Sequence, residues 1–357
     1  VKRVRAYGPA GIGNLAAGFD VLAAAVAPAG GEPWGDIVEI GEVGESGESG
    51  EMGEMGGESG EMGGEMGEIG KTGKLPPPAP WAPPGVTLTC DGPFAHQLPA
   101  DPNDNVAVKA CAAVARRVRG RPLPRLALRL TKGLPVGSGL GSSSATVVAV
   151  VRALDALLGR PLDEAGLLAA AGEAEAHAAG APHLDNVAAA LLGGLRLVDP
   201  GGGARLLPFP DDLRFVLAVP ALTLTTRAAR AVLPATVPLG IAVAHAQNLA
   251  ALVHALHAGD RELLRACLRD LLAEPHRAVL VPGFREVQAA GLAAGAWGCS
   301  LSGAGPAVFA VAEAGAAPAV GEALRRAWAG AGVACEIEIC VLDRRGARVL
   351  EEDDPCG

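Results

Sequence analysis

A chain of 357 residues exceeds what one compact core usually holds, so two domains of roughly 150–200 residues each are expected. Half of the residues are apolar, yet no uninterrupted apolar run reaches about 18, which argues against a membrane-spanning helix and for a soluble protein. The net charge of −9 is concentrated in two places: residues 41–74 hold nine Glu against two Lys, and residues 351–354 are all acidic. The body is left near neutral, which offers no basic field for nucleic acid.

Residues 1–7 alternate in strand fashion, and residues 36–40 (DIVEI) form the next strand. A Gly/Glu/Pro-rich insertion over 41–85 follows. Its short Gly-Glu units hold all four methionines of the chain and carry too little apolar bulk to offset the entropy of ordering, so disorder is expected. Its exit, LPPPAPWAPPG, reads as extended polyproline. The chain resumes with a strand at 86–90 (VTLTC), a helix over 105–119, and a strand in which Leu126, Leu128 and Leu130 alternate with smaller or polar side chains. Residues 142–158, rich in Ala, Val and Leu without Gly or Pro, predict a largely buried helix. Further helices are expected at 163–179, 239–257, 260–272, 284–294 and 317–331, and strands at 215–219, 307–311 and 336–341. Strands and helices mix without regular βα alternation, which favours α+β over a doubly wound sheet. Seven scattered cysteines without a C-x-x-C pair suggest neither a disulfide framework nor a zinc site, and fit a reducing compartment. The start at Val1, with no secretory apolar stretch, suggests a processed or partial chain.

Between strand and helix lies PVGSGLGSSSA, residues 135–145. Glycines there allow close backbone approach and helix-start amides donate to anions, an arrangement suited to a polyphosphate. Pro135, Gly137, Ser138, Gly139, Leu140, Gly141, Ser142, Ser143 and Ser144 are therefore candidates to bind a nucleotide. The loop is no Walker A, since its lysine is missing, and no dinucleotide fingerprint, since its glycines alternate. It resembles the P-x-x-x-G-L-G-S-S-[AS]-[AS] signature of the GHMP small-molecule kinases. GPAGIGNLAAGFD at 8–20 is similar to that family's opening motif, and GCSLSGAGPAVFAV at 298–311 resembles its third, a glycine-rich turn packed beside the phosphate loop. The resemblance covers residues 1–40 and 86 to about 350.

Within the superfamily, PHLDNVAAALLGG at 182–194 resembles homoserine kinases, in which a His-x-Asp-Asn group lines the amino-acid pocket. Segments 225–234 and 274–284 resemble stretches that each supply an arginine to the substrate carboxylate, here Arg230 and Arg277. Two arginines suit a carboxylate by forked hydrogen bonding. Asp20 and Asp185 are candidates for the ammonium, while Asn14, His183 and Asn186 can orient the amino acid; which takes which group is open. By resemblance, Ser142 and Glu175 would hold Mg²⁺ against the phosphates of ATP. Asn186, Asp20 and Arg230 are the catalytic candidates. Asn186 stands where several relatives carry a catalytic Asp, which implies attack aided by the metal and alignment, with Asp20 as fallback base. Asn105 either contacts adenine or only begins its helix. Each position has a plainer reading too: Asp20 as the cap of a helix or turn at Val21, the arginines as surface ion pairs, Glu175 as a solvated helical residue.

Some positions depart from the family pattern: Gly11 replaces a threonine, Ala16 and Ala17 replace Gly-Pro, Ala189 replaces a common proline, and Ser144 lengthens the serine run. The resulting expectation is a two-domain α+β GHMP kinase fold. Residues 1–199 form a mixed α/β nucleotide-binding domain, and residues 200–357 a ferredoxin-like α+β domain with an acidic tail. The implied reaction is transfer of the ATP γ-phosphate to L-homoserine, on the way to threonine, the alternatives being another GHMP acceptor (mevalonate, a sugar or shikimate) or a catalytically silent sensor of ATP and amino acid, with no nucleic acid or membrane partner and with room for a homodimer. The ending LDRRGARV is similar to plant-type relatives, which places the protein in a plastid stroma if algal or plant and in the cytoplasm otherwise.

Overall fold

The computed structural model describes residues 2–31, 33–43, 85–118, 123–179 and 184–353. Most of the Gly-Glu insertion, its proline-rich exit, His183 and the end of the acidic tail lie outside these residues.

The first half supplies β1 (Arg3–Gly13), β2 (Leu22–Pro28), β3 (Gly35–Glu42), β4 (Val86–Asp91), α1 (Val106–Arg117), β5 (Leu126–Thr131), α2 (Ser142–Leu157), α3 (Glu164–Ala179) and α4 (Leu184–Leu192). Then come β6 (Leu195–Val198), β7 (Ala204–Leu207), β8 (Leu213–Pro220), α5 (Thr226–Ala231), α6 (Leu239–Ala258), α7 (Arg261–Cys267) and α8 (Glu274–Arg277). The chain continues with α9 (Phe284–Ala293), β9 (Gly298–Leu301), β10 (Val308–Glu313), α10 (Ala317–Gly330), β11 (Cys335–Leu342) and β12 (Arg348–Glu352).

The described strands join in the order β4-β5-β3-β1-β2-β11-β8-β10-β9, with β12 on β1 and the β6–β7 pair on β2. Every pairing is antiparallel except β4 with β5. One half of β1 pairs with β3 and β12, and its last residues, Ala10–Gly13, pair with β2. A single strand therefore runs through both parts of the sheet. Helices α1, α2 and α3 cover the first part over a core of Val4, Ile40, Leu128, Val147, Val150 and Leu154. The second part follows the order β8-α9-β9-β10-α10-β11 in sequence and β11-β8-β10-β9 in space, the ferredoxin-like arrangement. Trp328, Phe284 and Leu324 pack on one face of that sheet, and Leu252, Leu256 and Leu264 on the other with Phe215 and Phe309.

Several boundaries differ from expectation for identifiable reasons. β1 continues through Gly13, because Gly8, Pro9 and Gly11 keep their places in the ladder. β2 was unexpected: LAAAVAP does not alternate because its first five residues are buried on both faces between β1 and β11. No helix starts at Val21, so Asp20 caps none; it sits in a turn at φ 58 ahead of β2. The helix foreseen over 260–272 stops at Cys267, since the Asp270 carboxylate accepts from the amides of Leu272, Ala273 and Glu274 and opens a new turn. Gly41 and Glu42, assigned to the insertion, belong to β3. By length and composition alone, α6 is apolar enough to cross a membrane, with 20 residues and a mean hydropathy of 1.4, although Gly240, His245, Gln247, Asn248, His254 and His257 interrupt its apolar run. Leu239, Ile241 and Val243 of α6 are exposed, while His245, Leu252, Ala255 and Leu256 are buried.

Candidate active site

The loop after β5 rises in three steps of left-handed backbone, with Gly137, Gly139 and Gly141 at φ 69, 89 and 66. At Gly139 a Cβ would also lie 2.4 Å from the Ser302 carbonyl oxygen, so neither the conformation nor the space admits a side chain. This close approach joins the loop to the turn between β9 and β10. Ala307 donates its amide to the Ser138 carbonyl at 2.8 Å, and the Ser302 hydroxyl donates to the Gly139 carbonyl at 2.7 Å. The Gly11 amide of β1 donates to Leu140 from below at 2.9 Å. Gly141 ends the loop as N-cap of α2 without a capping side chain, and no acidic residue lies in the helix's first turn. The first amides of a 16-residue helix thus open toward a cavity of about 480 Å³. That volume suits a small ligand.

Gly137, Gly139, Gly141, Ser142, Ser143 and Ser144 line the cavity, whereas Pro135, Ser138 and Leu140 shape the loop without lining it. Ser138 turns its hydroxyl back to the Pro135 carbonyl, and Leu140 is fully buried. Glu175 of α3, buried, accepts a hydrogen bond from the Ser143 hydroxyl at 2.8 Å, while the Ser142 hydroxyl donates instead to the Leu134 carbonyl at 3.2 Å. The serine beside Glu175 is therefore Ser143, one residue after the one foreseen, because successive helical side chains diverge by about 100°.

Under the loop lies a charged network that sequence reasoning missed. Lys132 and Asp36, both buried, form an ion pair, and the ammonium also donates to the Ser142 carbonyl at 2.8 Å and the Thr146 hydroxyl at 3.1 Å. Asp36 accepts from the Gly133 and Leu134 amides at 3.0 and 3.2 Å and from Thr146 at 2.5 Å. Burial pulls the Lys132 ammonium below its usual pKa, and the Asp36 charge opposes that shift. Lys132 and Thr146 reach the cavity wall. The only signal in sequence was a lysine three residues before Pro135, with no hint of its partner 96 positions earlier.

Leu98, Pro99, Val106 and Val136 line the cavity together with Asn105. The Asn105 carbonyl oxygen caps α1 by accepting from the Ala107 amide at 2.9 Å, while its buried amide nitrogen meets no acceptor among the described residues. Asn105 thus begins its helix and keeps a donor for a ligand, so the two readings of that residue are compatible.

The same cavity gathers the substrate candidates. Asn14, Asp20, Asn186, Arg230 and Arg277 all line it. Arg230 donates to the Asp20 carboxylate at 2.6 Å. Asn14 accepts from the Asp20 amide at 2.8 Å and donates to the Gly303 carbonyl at 3.1 Å. Arg277 is buried and donates to Gly303 and Ala229 carbonyls at 2.9 and 3.1 Å, so it is no surface ion pair, whereas Arg230 forms a partly exposed ion pair with Asp20 in the cavity wall. Burial, then repulsion from Arg230, lowers the Arg277 pKa. Asp185 is buried in the first turn of α4 behind the wall rather than in it, and its charge acts on Arg277. His183 lies outside the described residues. Residues 223–227, which lead from the β8–α5 connection into the start of α5, also line the cavity and were not foreseen. Gly11 does not line it: a Cβ there would face the Ala24 carbonyl at 3.3 Å, so the missing threonine bears on the β1–β2 contact.

Residues 105–194 match the family of GHMP kinases N terminal domains, and residues 252–330 match GHMP kinases C terminal. A homoserine kinase from Cytophaga hutchinsonii is 31% identical over 98% of this chain and 97% of its own, with a TM-score of 0.79. The chain belongs to the GHMP kinases. A Listeria monocytogenes protein assigned as homoserine kinase (21% identical, 98% of this chain and 99% of its own, TM-score 0.62) shares the fold of this GHMP kinase. So does the L. major mevalonate kinase in complex with R-mevalonate, at 16% identity, 95% of each chain and a TM-score of 0.60. GHMP kinases use ATP, which accounts for the uncapped start of α2 at the cavity in this GHMP kinase.

Proposed function

We propose that this GHMP kinase transfers the γ-phosphate of ATP to the hydroxyl of L-homoserine, giving O-phospho-L-homoserine for threonine biosynthesis. The observation that carries the reading is that Arg230, Arg277, Asp20 and Asn186 line one cavity together with the uncapped start of α2. Two guanidiniums fit the substrate carboxylate and Asp20 its ammonium, which leaves the hydroxyl free to point at the phosphate. Likeness to the Cytophaga hutchinsonii enzyme supports the same acceptor.

On this reading, the α2 amides and the loop backbone bind the phosphates, the apolar slot around Asn105 takes the base, and Asn186 orients the attacking hydroxyl. Asp20 is held by Arg230, which favours alignment over base catalysis, as phosphoryl transfer permits. Ser143 and Glu175 would hold Mg²⁺, as one hydroxyl and one carboxylate suit a hard cation that also takes phosphate oxygens. Bound there, the metal would screen the phosphate charge. Among the described residues no cluster of three or more metal-ligating His, Cys, Asp or Glu competes for that role. The division at residue 199 and a plastid or cytoplasmic home are further parts of this proposal.

Coupled assays of ATP consumption with homoserine, mevalonate and galactose test it. Turnover of homoserine with little of the others is expected. Turnover of mevalonate without homoserine overturns the reading, and binding of homoserine without any O-phosphohomoserine would mark a sensor instead.

A further inference from the structure

Phe19 lies in the turn between β1 and β2 and is half-buried. Its ring has both guanidiniums close by, with Arg230 at 5.4 Å and Arg277 at 5.2 Å from the centroid. Both distances fall within the range where a ring quadrupole attracts a cation. Two cations held this near each other repel, and that repulsion contributes to the lowered pKa of Arg277. A ring that attracts both reduces the cost of holding them together.

The turn is built to hold the ring there. Asn14, Ala16 and Asp20 adopt φ of 54, 51 and 58, and the Asp20 amide is pinned by Asn14. Gly18 admits no side chain, because a Cβ would lie 2.2 Å from Leu22. Arg277 has two carbonyl acceptors besides the ring, and Arg230 donates to the Asp20 carboxylate. When a substrate ammonium takes a share of the Asp20 carboxylate, the Asp20 hold on Arg230 weakens while the ring contact persists.

We infer that Phe19 is a positioning residue: its ring sets Arg230 and Arg277 as a pair to receive the acceptor's carboxylate. This rests on the acceptor reading above, and the experiment separates the two. Phe19→Leu keeps an apolar side chain of similar size and removes the ring, whereas Phe19→Tyr keeps the ring. The acceptors are L-homoserine and 3-aminopropan-1-ol, which is homoserine without its carboxylate.

With Phe19→Leu, KM for homoserine rises about 5- to 30-fold with kcat much less changed. KM for ATP and the low kcat/KM for 3-aminopropan-1-ol stay within about twofold, and Phe19→Tyr restores homoserine KM. Calorimetric titration with L-homoserine gives the same ranking without turnover. An unchanged homoserine KM, an equal loss with both acceptors, a parallel rise in KM for ATP, or a tyrosine variant as poor as leucine each overturns the role of Phe19 while leaving the acceptor reading intact. Wild-type protein that neither binds nor phosphorylates homoserine overturns both.

Discussion

Glu175 accepts a hydrogen bond from the Ser143 hydroxyl at 2.8 Å, tying the middle of α3 to the first turn of α2 at the edge of the cavity. Ser142, its neighbour, spends its hydroxyl on Leu134. Ser143→Ala should therefore raise the Mg²⁺ concentration needed for half-maximal rate by about tenfold, and Glu175→Gln by more, while Ser142→Ala shifts it about twofold or less. Magnesium titrations of initial rate decide this; a larger shift for Ser142→Ala than for Ser143→Ala would return the metal to the residue first expected.

Arg230 and Arg277 differ in what else they do. Arg230→Ala should raise KM for homoserine at least about tenfold with kcat and ATP handling less affected, the mark of a lost binding contact. Arg277→Ala removes a buried donor from two carbonyls as well, so it should also lower the unfolding midpoint. Steady-state kinetics alongside thermal unfolding separates them. Equal small effects from both would remove the arginines from the substrate site.

Lys132→Met leaves the Asp36 carboxylate buried without its counter-ion. Breaking such a pair from one side costs on the order of 3–5 kcal/mol, and urea unfolding should show a loss of that size. Combining it with Asp36→Asn should recover part of the loss. A loss under about 1 kcal/mol would mean that water reaches the pair.

His245 of α6 is buried, and burial lowers its pKa below 6.5 despite upward pulls from Asp270 and the Ala17 carbonyl. For a base with a lowered folded-state pKa the unfolded chain binds more protons, so stability rises with pH. The contribution is whole above about pH 6.5 and shrinks as the pH falls below that value. Unfolding midpoints at decreasing pH should drop less in His245→Gln than in the wild type. Equal drops would exclude this histidine as a source of acid sensitivity.

Ala16, standing where the family pattern has glycine, is held at φ 51. A left-handed residue with a Cβ costs about 1–2 kcal/mol, partly offset by the greater chain entropy of glycine. Ala16→Gly should therefore stabilise by up to about 1 kcal/mol in urea unfolding. Destabilisation would show that the buried methyl's packing outweighs the strain.

The long helices were legible because their apolar residues recur with helical period, and α1, α2, α9 and α10 fall within a residue or two of expectation. β2 was not, since an alanine-rich strand buried on both faces lacks the alternation that marks one. The phosphate loop announced itself through spacing: every second residue must be glycine where Gly137, Gly139 and Gly141 are left-handed. Asn14, Asp20, Arg230 and Arg277 were legible only through resemblance, because no local pattern shows that residues 210 positions apart will pair. Phe19, Asp36 and Lys132 escaped for the same reason: their meaning lies in who faces them, and that is decided by the path of β1, β3 and β5 through the sheet.

That path has a kinetic side. Val4 of β1 aligns with Glu352 of β12, so one edge of a strand made early in synthesis is closed only by a strand from the far end of the described chain. Until then the nascent chain exposes unpaired amides and carbonyls on an apolar strand, a template for unwanted edge-to-edge pairing. So distant a closure predicts slow final folding, and a fragment ending at residue 199 keeps the edge open for good. Expressed by itself, that fragment should self-associate through the open edge of β1.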